Sequence, residues 1–287
     1  MAGIRLEWAQ FGSFDSFDVV RSLSPMSDIS NLPTPIVTGL QKMFYADTTV
    51  VEGAAYYYRV VAWRDGVSEI SSEIKVEARE GDEYWDKVVA LLHFDGDLTD
   101  EVGGAWGSIG SPSITDTNHL FDKNLLFSGN GGQHITKTFV DALGTDDFTI
   151  EMFIRRAAHS DYRCIFDSRS SASSDGIAIY TSSNLTGNVP VIWTNTQVLM
   201  GVSEIPHSEW VHIAVCRKSE TLYYFTEGIL QNSANFTNDL TNKLVRLGAS
   251  REGSQSYGGH IDELRITKGL ARYTEDFVPP DTPFLGG

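Results

Sequence analysis

Two adjacent carboxylates, Asp262 and Glu263, lie in the run Gly259-His-Ile-Asp-Glu-Leu-Arg-Ile-Thr, and paired carboxylates are the usual machinery for breaking glycosidic bonds. A retaining mechanism needs the two carboxyls about 5 Å apart on one surface. Successive side chains of a strand point to opposite faces, so Asp262 and Glu263 are expected on opposite faces and not as a working pair. Other chemistries leave no trace. There is no Gly-x-Ser-x-Gly elbow, no Gly-Lys-Ser/Thr phosphate loop and no His-Glu-x-x-His zinc motif. The seven histidines are scattered, and His212, inside the run Trp210–Arg217, reads as a packed strand residue. Ser128-Gly-Asn-Gly-Gly is followed by no helix whose N-terminus could hold an anion, so it reads as a tight turn.

Recognition without catalysis needs a different kit: aromatic rings on which the apolar faces of a ligand stack, with polar groups beside them to fix its orientation. Trp193 and Tyr180 stand near the ends of short apolar runs beside Asn- and Thr-rich turns. Tyr162 with Arg163, and Tyr257 in Ser254-Gln-Ser-Tyr-Gly-Gly, complete the candidates.

The elements that must position these residues are strands. Helical periodicity is almost absent, and short runs rich in β-branched and aromatic residues are cut by Gly, Asn, Asp, Ser and Pro clusters. In Phe148–Arg155 the residues Phe148, Ile150, Met152 and Ile154 share one face, opposite Thr149, Glu151, Phe153 and Arg155, so one face is expected to pack inward. Trp210–Arg217 alternates likewise, with Val211, Ile213 and Val215 opposite His212, Ala214 and Cys216. The charged Arg79-Glu-Gly-Asp-Glu separates two strand-rich regions, which divides the chain into residues 1–80 and 81–287. The fold class expected is all-β, with one sandwich following another.

Composition narrows the partners. The 287 residues carry a formal charge of -16, and acidic side chains outnumber basic ones in both regions. Nucleic-acid binding and attraction to anionic membranes both need clustered Lys and Arg, so neither is expected. No run approaches the roughly 20 apolar residues of a membrane helix, and Met1–Gln10 lacks the apolar stretch of a signal peptide. Cys164 and Cys216 are too few for a disulfide framework and are expected as two reduced, half-buried thiols, although they could pair. The sequons at Asn184 and Asn235 are of a length that arises by chance in a chain this rich in Ser, Thr and Asn.

Residues 1–80 resemble a fibronectin type III module, an immunoglobulin-like sandwich, through Gly53-Ala-Ala-Tyr-Tyr-Tyr-Arg-Val-Val-Ala-Trp-Arg-Asp-Gly-Val-Ser. The resemblance implies that Tyr56 closes a corner, that Tyr58, Val60 and Ala62 follow inward, and that Asp65-Gly66 turns a hairpin. It also makes Ile4–Trp8 the family's second strand, with Trp8 in the core. The usual first strand is then absent or very short, leaving either an unpaired edge open to a partner's strand or a truncated, self-sufficient sheet.

Residues 81–287 resemble laminin-G-like, concanavalin A-like jelly rolls of the form found on bacteriophage tails. The resemblance rests on Val88-Val-Ala-Leu-Leu-His-Phe-Asp-Gly-Asp, Leu126-Phe-Ser-Gly-Asn-Gly-Gly, Asp147-Phe-Thr-Ile-Glu-Met-Phe-Ile and Trp210-Val-His-Ile-Ala-Val-Cys-Arg. Its most specific element is the closing Gly259-His-Ile-Asp-Glu-Leu-Arg-Ile-Thr-Lys-Gly-Leu-Ala-Arg-Tyr-Thr. Glucanases of this architecture carry their carboxylates as Glu-x-Asp-x-Glu, which is missing here, so the resemblance implies a protein that is not an enzyme. It further implies a structural calcium held by Asp95, the carbonyls around Gly129 and Gly132, and Asp262, since hard cations take oxygen ligands.

Together these resemblances imply a phage tail adhesion protein, assembled in the host cytoplasm and carried on the virion as part of a symmetric multimer. The first module would dock on other tail proteins, and the jelly roll would meet a host-surface glycan or protein. A purely architectural tail protein and a bacterial surface carbohydrate-binding protein are the alternatives.

Overall fold

The computed structural model describes residues 2–9, 12–159, 161–171, 174–182 and 188–287; the Asn184 sequon lies outside the described residues. The chain is almost entirely strand, with a single 3-10 turn, Trp85–Lys87, as the only helical segment among the described residues. It divides into two compact units, Met1–Trp85 with Leu285–Gly287, and Asp86–Phe284.

The smaller unit is built from two sheets. One orders Val37–Leu40, Ser16–Ser22, Ala55–Arg64 and Val67–Ile70, with Ile74–Glu77 also paired to Ala55–Arg64. The other orders Phe44–Asp47, Ala2–Glu7 and Arg79–Glu80. Ala2–Glu7 has partners on both sides, so it is the middle strand of its sheet and not an open edge. Tyr56 and Tyr58 pack inward with Ile4, Leu6 and Val19, while Val60, Ala62 and Trp8 are only half-buried. The Tyr56 hydroxyl accepts the Val51 N–H at 2.9 Å, tying the strand back to the loop before it. Asp65 and Gly66 have φ of 48° and 75°, the two positive values that a two-residue hairpin needs to match strand twist.

The larger unit is a sandwich of an eight-stranded and a seven-stranded sheet. In the first, Asn124–Ser128, Gly258–Lys268, Phe148–Arg156, Val211–Lys218 and Thr221–Thr226 lie side by side. Gly258–Lys268 is long enough to pair Asn124–Ser128 with its first half and Val88–Leu92 with its second. The other sheet runs through His134–Thr138, Leu244–Leu247, Arg163–Asp167, Ala178–Ser182 and Val189–Trp193. Between the sheets lies one apolar core, with Phe148, Ile150, Met152, Ile154, Val211, Ile213 and Val215 from one side and Phe166, Ile179, Ile192 and Leu247 from the other.

The inward alternation expected of Phe148–Arg155 and Trp210–Arg217 is present, but the opposite face is not wet. Thr149, Glu151 and Phe153 are buried too, because the segment after Lys268 lies across them. Phe284 packs on Phe153 with ring centroids 6.0 Å apart, and Tyr273 donates its hydroxyl to Glu151 at 3.0 Å. Glu151 also pairs with Arg265 at 2.9 Å. Burial pushes the Glu151 carboxyl up, but Arg265, His212 and Arg272 outweigh it and hold it down to about 2. His212 is a packed histidine of this layer, its ring 4.8 Å from Phe153. Cys164 and Cys216 are free, one in each sheet, and fully buried where half-burial was expected.

Candidate functional site

On the seven-stranded sheet, alternation decides which side chains leave the core. Ile179 and Ile192 point inward, so their neighbours Ala178, Tyr180 and Trp193 face outward, where they gather with Cys164 and Tyr162. A bulge between Cys164 and Phe166 sends both Ile165 and Phe166 into the core and leaves Cys164 opposite Tyr180. The outward aromatics open into a cleft of about 310 Å³ lined by Tyr162, Arg169, Tyr180, Trp193, Arg251 and Gln255. That volume lies at the lower end of small-ligand sites, roughly 300–1,000 Å³. The rings of Tyr162 and Tyr180 meet edge to face at 6.3 Å, and the Arg169 guanidinium stands 5.5 Å from the centre of the Tyr180 ring.

The floor of the cleft is a buried ion pair. Arg169 Nε donates to Asp167 Oδ1 at 2.9 Å, and one terminal nitrogen donates to Asp167 Oδ2 and to the Tyr180 hydroxyl, each at 2.7 Å. The other terminal nitrogen donates to the Thr194 carbonyl at 2.9 Å. Asp167 also accepts the backbone N–H groups of Arg169 and Arg251, so its two oxygens take four hydrogen bonds. Burial disfavours the Arg169 charge, but Asp167 beside it raises the guanidinium above its ordinary value. Gly176 makes this floor possible: a β-carbon there would collide with the Ser168 carbonyl and push Ser168–Arg169 away. Burial raises the Tyr180 hydroxyl and the Cys164 thiol beneath it, so both are neutral scaffolding.

Of the five recognition candidates read from sequence, Tyr162, Tyr180 and Trp193 come together in this cleft. Arg163 is a neighbour with a structural task, donating to the carbonyls of Gly129 and Ser256, both at 3.0 Å. Tyr257 is corrected: it is fully buried, packs edge-on against Phe127 at 6.2 Å and faces no solvent. Arg169, Arg251 and Gln255 were not foreseen. The spacing Asp167-Ser-Arg169, which puts opposite charges on one side of an extended segment, was the available signal.

The expected calcium ligands come together only in part. Asp95 and Asp262 are close enough for their charges to interact, with Glu263 as an unforeseen third carboxylate. Gly129 instead packs against Gly258, four residues along the strand from Asp262, a separation of about 13 Å at roughly 3.3 Å per residue. Gly132 is further away, against Gly253 and Ser256. Among the described residues no group of three or more His, Cys, Asp or Glu is placed to hold a metal ion. The four residues do not form one site.

The expected separation of Asp262 and Glu263 onto opposite faces is also corrected. Register shifts between Glu151 and Phe153, so Met152 faces two residues of the closing strand. Glu263 takes φ of 53°, and Ile261 and Leu264 both enter the core. Asp262 and Glu263 therefore share the outer face. Glu263 contacts His93 at 2.7 Å and accepts the Phe284 N–H at 2.8 Å. Asp262 is 1% exposed, and its Oδ2 has no hydrogen-bond partner. Burial, Glu263 and Asp95 push its carboxyl up to about 8.

Comparison with known proteins places this architecture. The family described as the concanavalin A-like lectin/glucanases superfamily matches residues 128–271. No curated protein sequence matches the chain. Among solved structures, domain 4 of a GH43 extracellular arabinanase from Geobacillus stearothermophilus, in complex with arabinotriose, is similar with a TM-score of 0.54 and 19% identity, covering 64% of this chain and 94% of that one. Trypanosoma rangeli sialidase is similar with a TM-score of 0.50 and 8% identity over 75% of this chain, which spans 41% of the sialidase. A putative carbohydrate binding protein from Bacteroides ovatus is similar with a TM-score of 0.42 and 12% identity over 95% of this chain and 78% of that one. The expectation that the chain is not an enzyme is overturned by the hydrolases among these neighbours, the arabinanase and the sialidase. Asp262 and Glu263 share a face across the bulge, so strand alternation gives no ground for keeping the two carboxylates apart.

Proposed function

Because the chain belongs to the concanavalin A-like lectin/glucanases superfamily, we propose that its larger unit binds carbohydrate in the cleft between Tyr162, Tyr180 and Trp193. One observation carries the reading: three aromatics from separate segments converge on one cleft whose remaining lining groups, Arg169, Arg251 and Gln255, are hydrogen-bond donors. Rings supply the stacking surface for a sugar, and the donors read its hydroxyls. The arabinotriose held by the arabinanase domain supports the same class of ligand.

The finer reading places this sugar-binding unit on a phage tail, facing a host-surface glycan, with the Met1–Trp85 unit docking on neighbouring tail proteins. It is supported by the resemblance of the closing run Gly259–Thr274 to jelly rolls of phage tails. Several copies on one particle would turn weak single sites into firm attachment.

Isothermal titration of the full chain against an oligosaccharide panel tests the cleft. Trp193→Ala is expected to weaken binding at least about tenfold, equal to about 1.4 kcal/mol, with the thermal midpoint unchanged. Glycan binding that survives both Trp193→Ala and Tyr162→Ala would place the site elsewhere.

A further inference from the structure

The charges in the cleft narrow the kind of sugar, an inference that rests on the carbohydrate reading. Two arginines in a cleft of an acidic protein invite the thought of an anionic ligand, because the planar guanidinium fork matches a carboxylate through two parallel N–H bonds. Arg169 cannot offer that fork. Nε and one terminal nitrogen already grip the two oxygens of Asp167, and Tyr180 and Thr194 take two further N–H bonds. Four of its five N–H bonds are thereby used, and its charge is cancelled at contact distance by a fully buried carboxylate. A single remaining N–H can read one oxygen, such as a hydroxyl or a ring oxygen.

Arg251 has its own carboxylate as well. Its side chain meets Glu252 at 3.1 Å, while its backbone N–H is spent on Asp167. Gln255 adds a neutral amide that both donates and accepts, the pattern that suits neighbouring hydroxyls. Arg169 is matched by a buried carboxylate and Arg251 by an exposed one, and Gln255 adds neutral hydrogen bonding beside the aromatic faces.

We infer that the cleft selects uncharged sugar rings and discriminates against sugars bearing a carboxylate. Glu252 is well exposed, so its hold on Arg251 is weak, and Arg251 is the residue on which the distinction turns.

The test titrates the full chain and its Arg251→Gln variant with neutral probes (arabinotriose, cellotriose, mannotriose) and acidic probes (trigalacturonate, sialyllactose), each at low and high sodium chloride. The expected result is binding of at least one neutral probe. Its Kd should change less than about twofold with salt, and every acidic probe should bind at least about tenfold more weakly. Tighter binding of an acidic probe, lost at high salt and in Arg251→Gln, overturns the inference and leaves the carbohydrate reading standing. Failure of every probe overturns both.

Discussion

Asp167→Asn removes one charge from the floor of the cleft and turns one acceptor oxygen into a donor. In the native unit Asp167 is fully buried and accepts four hydrogen bonds, two from the Arg169 side chain and two from backbone N–H groups. Neutralising it leaves Arg169 charged and largely out of water. Breaking a buried pair in this way costs about 3–5 kcal/mol, because the surviving charge keeps its desolvation and loses its partner. For a unit of about 200 residues each kcal/mol moves the thermal midpoint by about 2–4 °C, so a fall of about 6–20 °C is expected. Calorimetry of the full chain, with a urea titration to confirm the free energy, reads it. The double variant Asp167→Leu with Arg169→Met removes both charges together and should recover part of the loss, the remainder being the two backbone N–H groups of Arg169 and Arg251 left unpaired. It should also bind sugar at least about tenfold more weakly, having lost the free Arg169 donor. A single-variant loss below about 1 kcal/mol would refute the reasoning, since Arg169 would then be satisfied without Asp167.

Asp262→Asn should act in the opposite direction. Burial first, then Glu263 and Asp95, raise the Asp262 carboxyl to about 8, so the folded state prefers it protonated and loses stability as pH climbs from about 4 towards 8. At pH 7 that penalty is on the order of 4 kcal/mol, which the variant escapes; its midpoint should rise at pH 7 and stay level near pH 3. A lower midpoint for the variant at pH 7 in chelator would show the ionised carboxylate to be well satisfied. Repeating the scan with calcium decides whether Asp95 and Asp262 take an ion, which a gain confined to the unmutated chain would reveal. Cys164 and Cys216, fully buried and with thiols pushed up by burial, should not react with a thiol reagent until the chain is unfolded in denaturant. Modification of either at the rate of a free thiol in native buffer would place it at the surface.

Period two was enough to see the strands and their inward faces, because Phe148, Ile150, Met152 and Ile154, and likewise Val211, Ile213 and Val215, occupy the core in strict alternation. The same rule misled where a bulge inserts a residue. Asp262 and Glu263 share a face only because Glu263 turns left-handed opposite Met152, and no residue type marks that turn in the sequence. Alternation left open what covers Thr149, Glu151 and Phe153, because the segment that buries them arrives more than a hundred residues later. Tyr162, Tyr180 and Trp193 were legible since each stands at or near the end of a short apolar run. Their companions Arg251 and Gln255 come from a distant loop, and only the pairing of strands brings them near. Tyr257 sits among Ser and Gly, the company of a surface loop, yet fills space beside Phe127.

The strand Gly258–Lys268 lies in the middle of its sheet, held by Phe148–Arg156 on one side and by Asn124–Ser128 and Val88–Leu92 on the other. During synthesis its three partners leave the ribosome long before it does. At about 5–20 residues per second, the hundred or so residues between Arg156 and Gly258 take several seconds or more to follow. Throughout that interval the nascent chain carries unpaired strand edges with no middle strand to join them, the condition in which chains associate with one another. The sheet closes as a late, long-range event, so polypeptides released before residue 268 are expected to be chaperone clients or protease substrates, however much of the earlier sequence they contain.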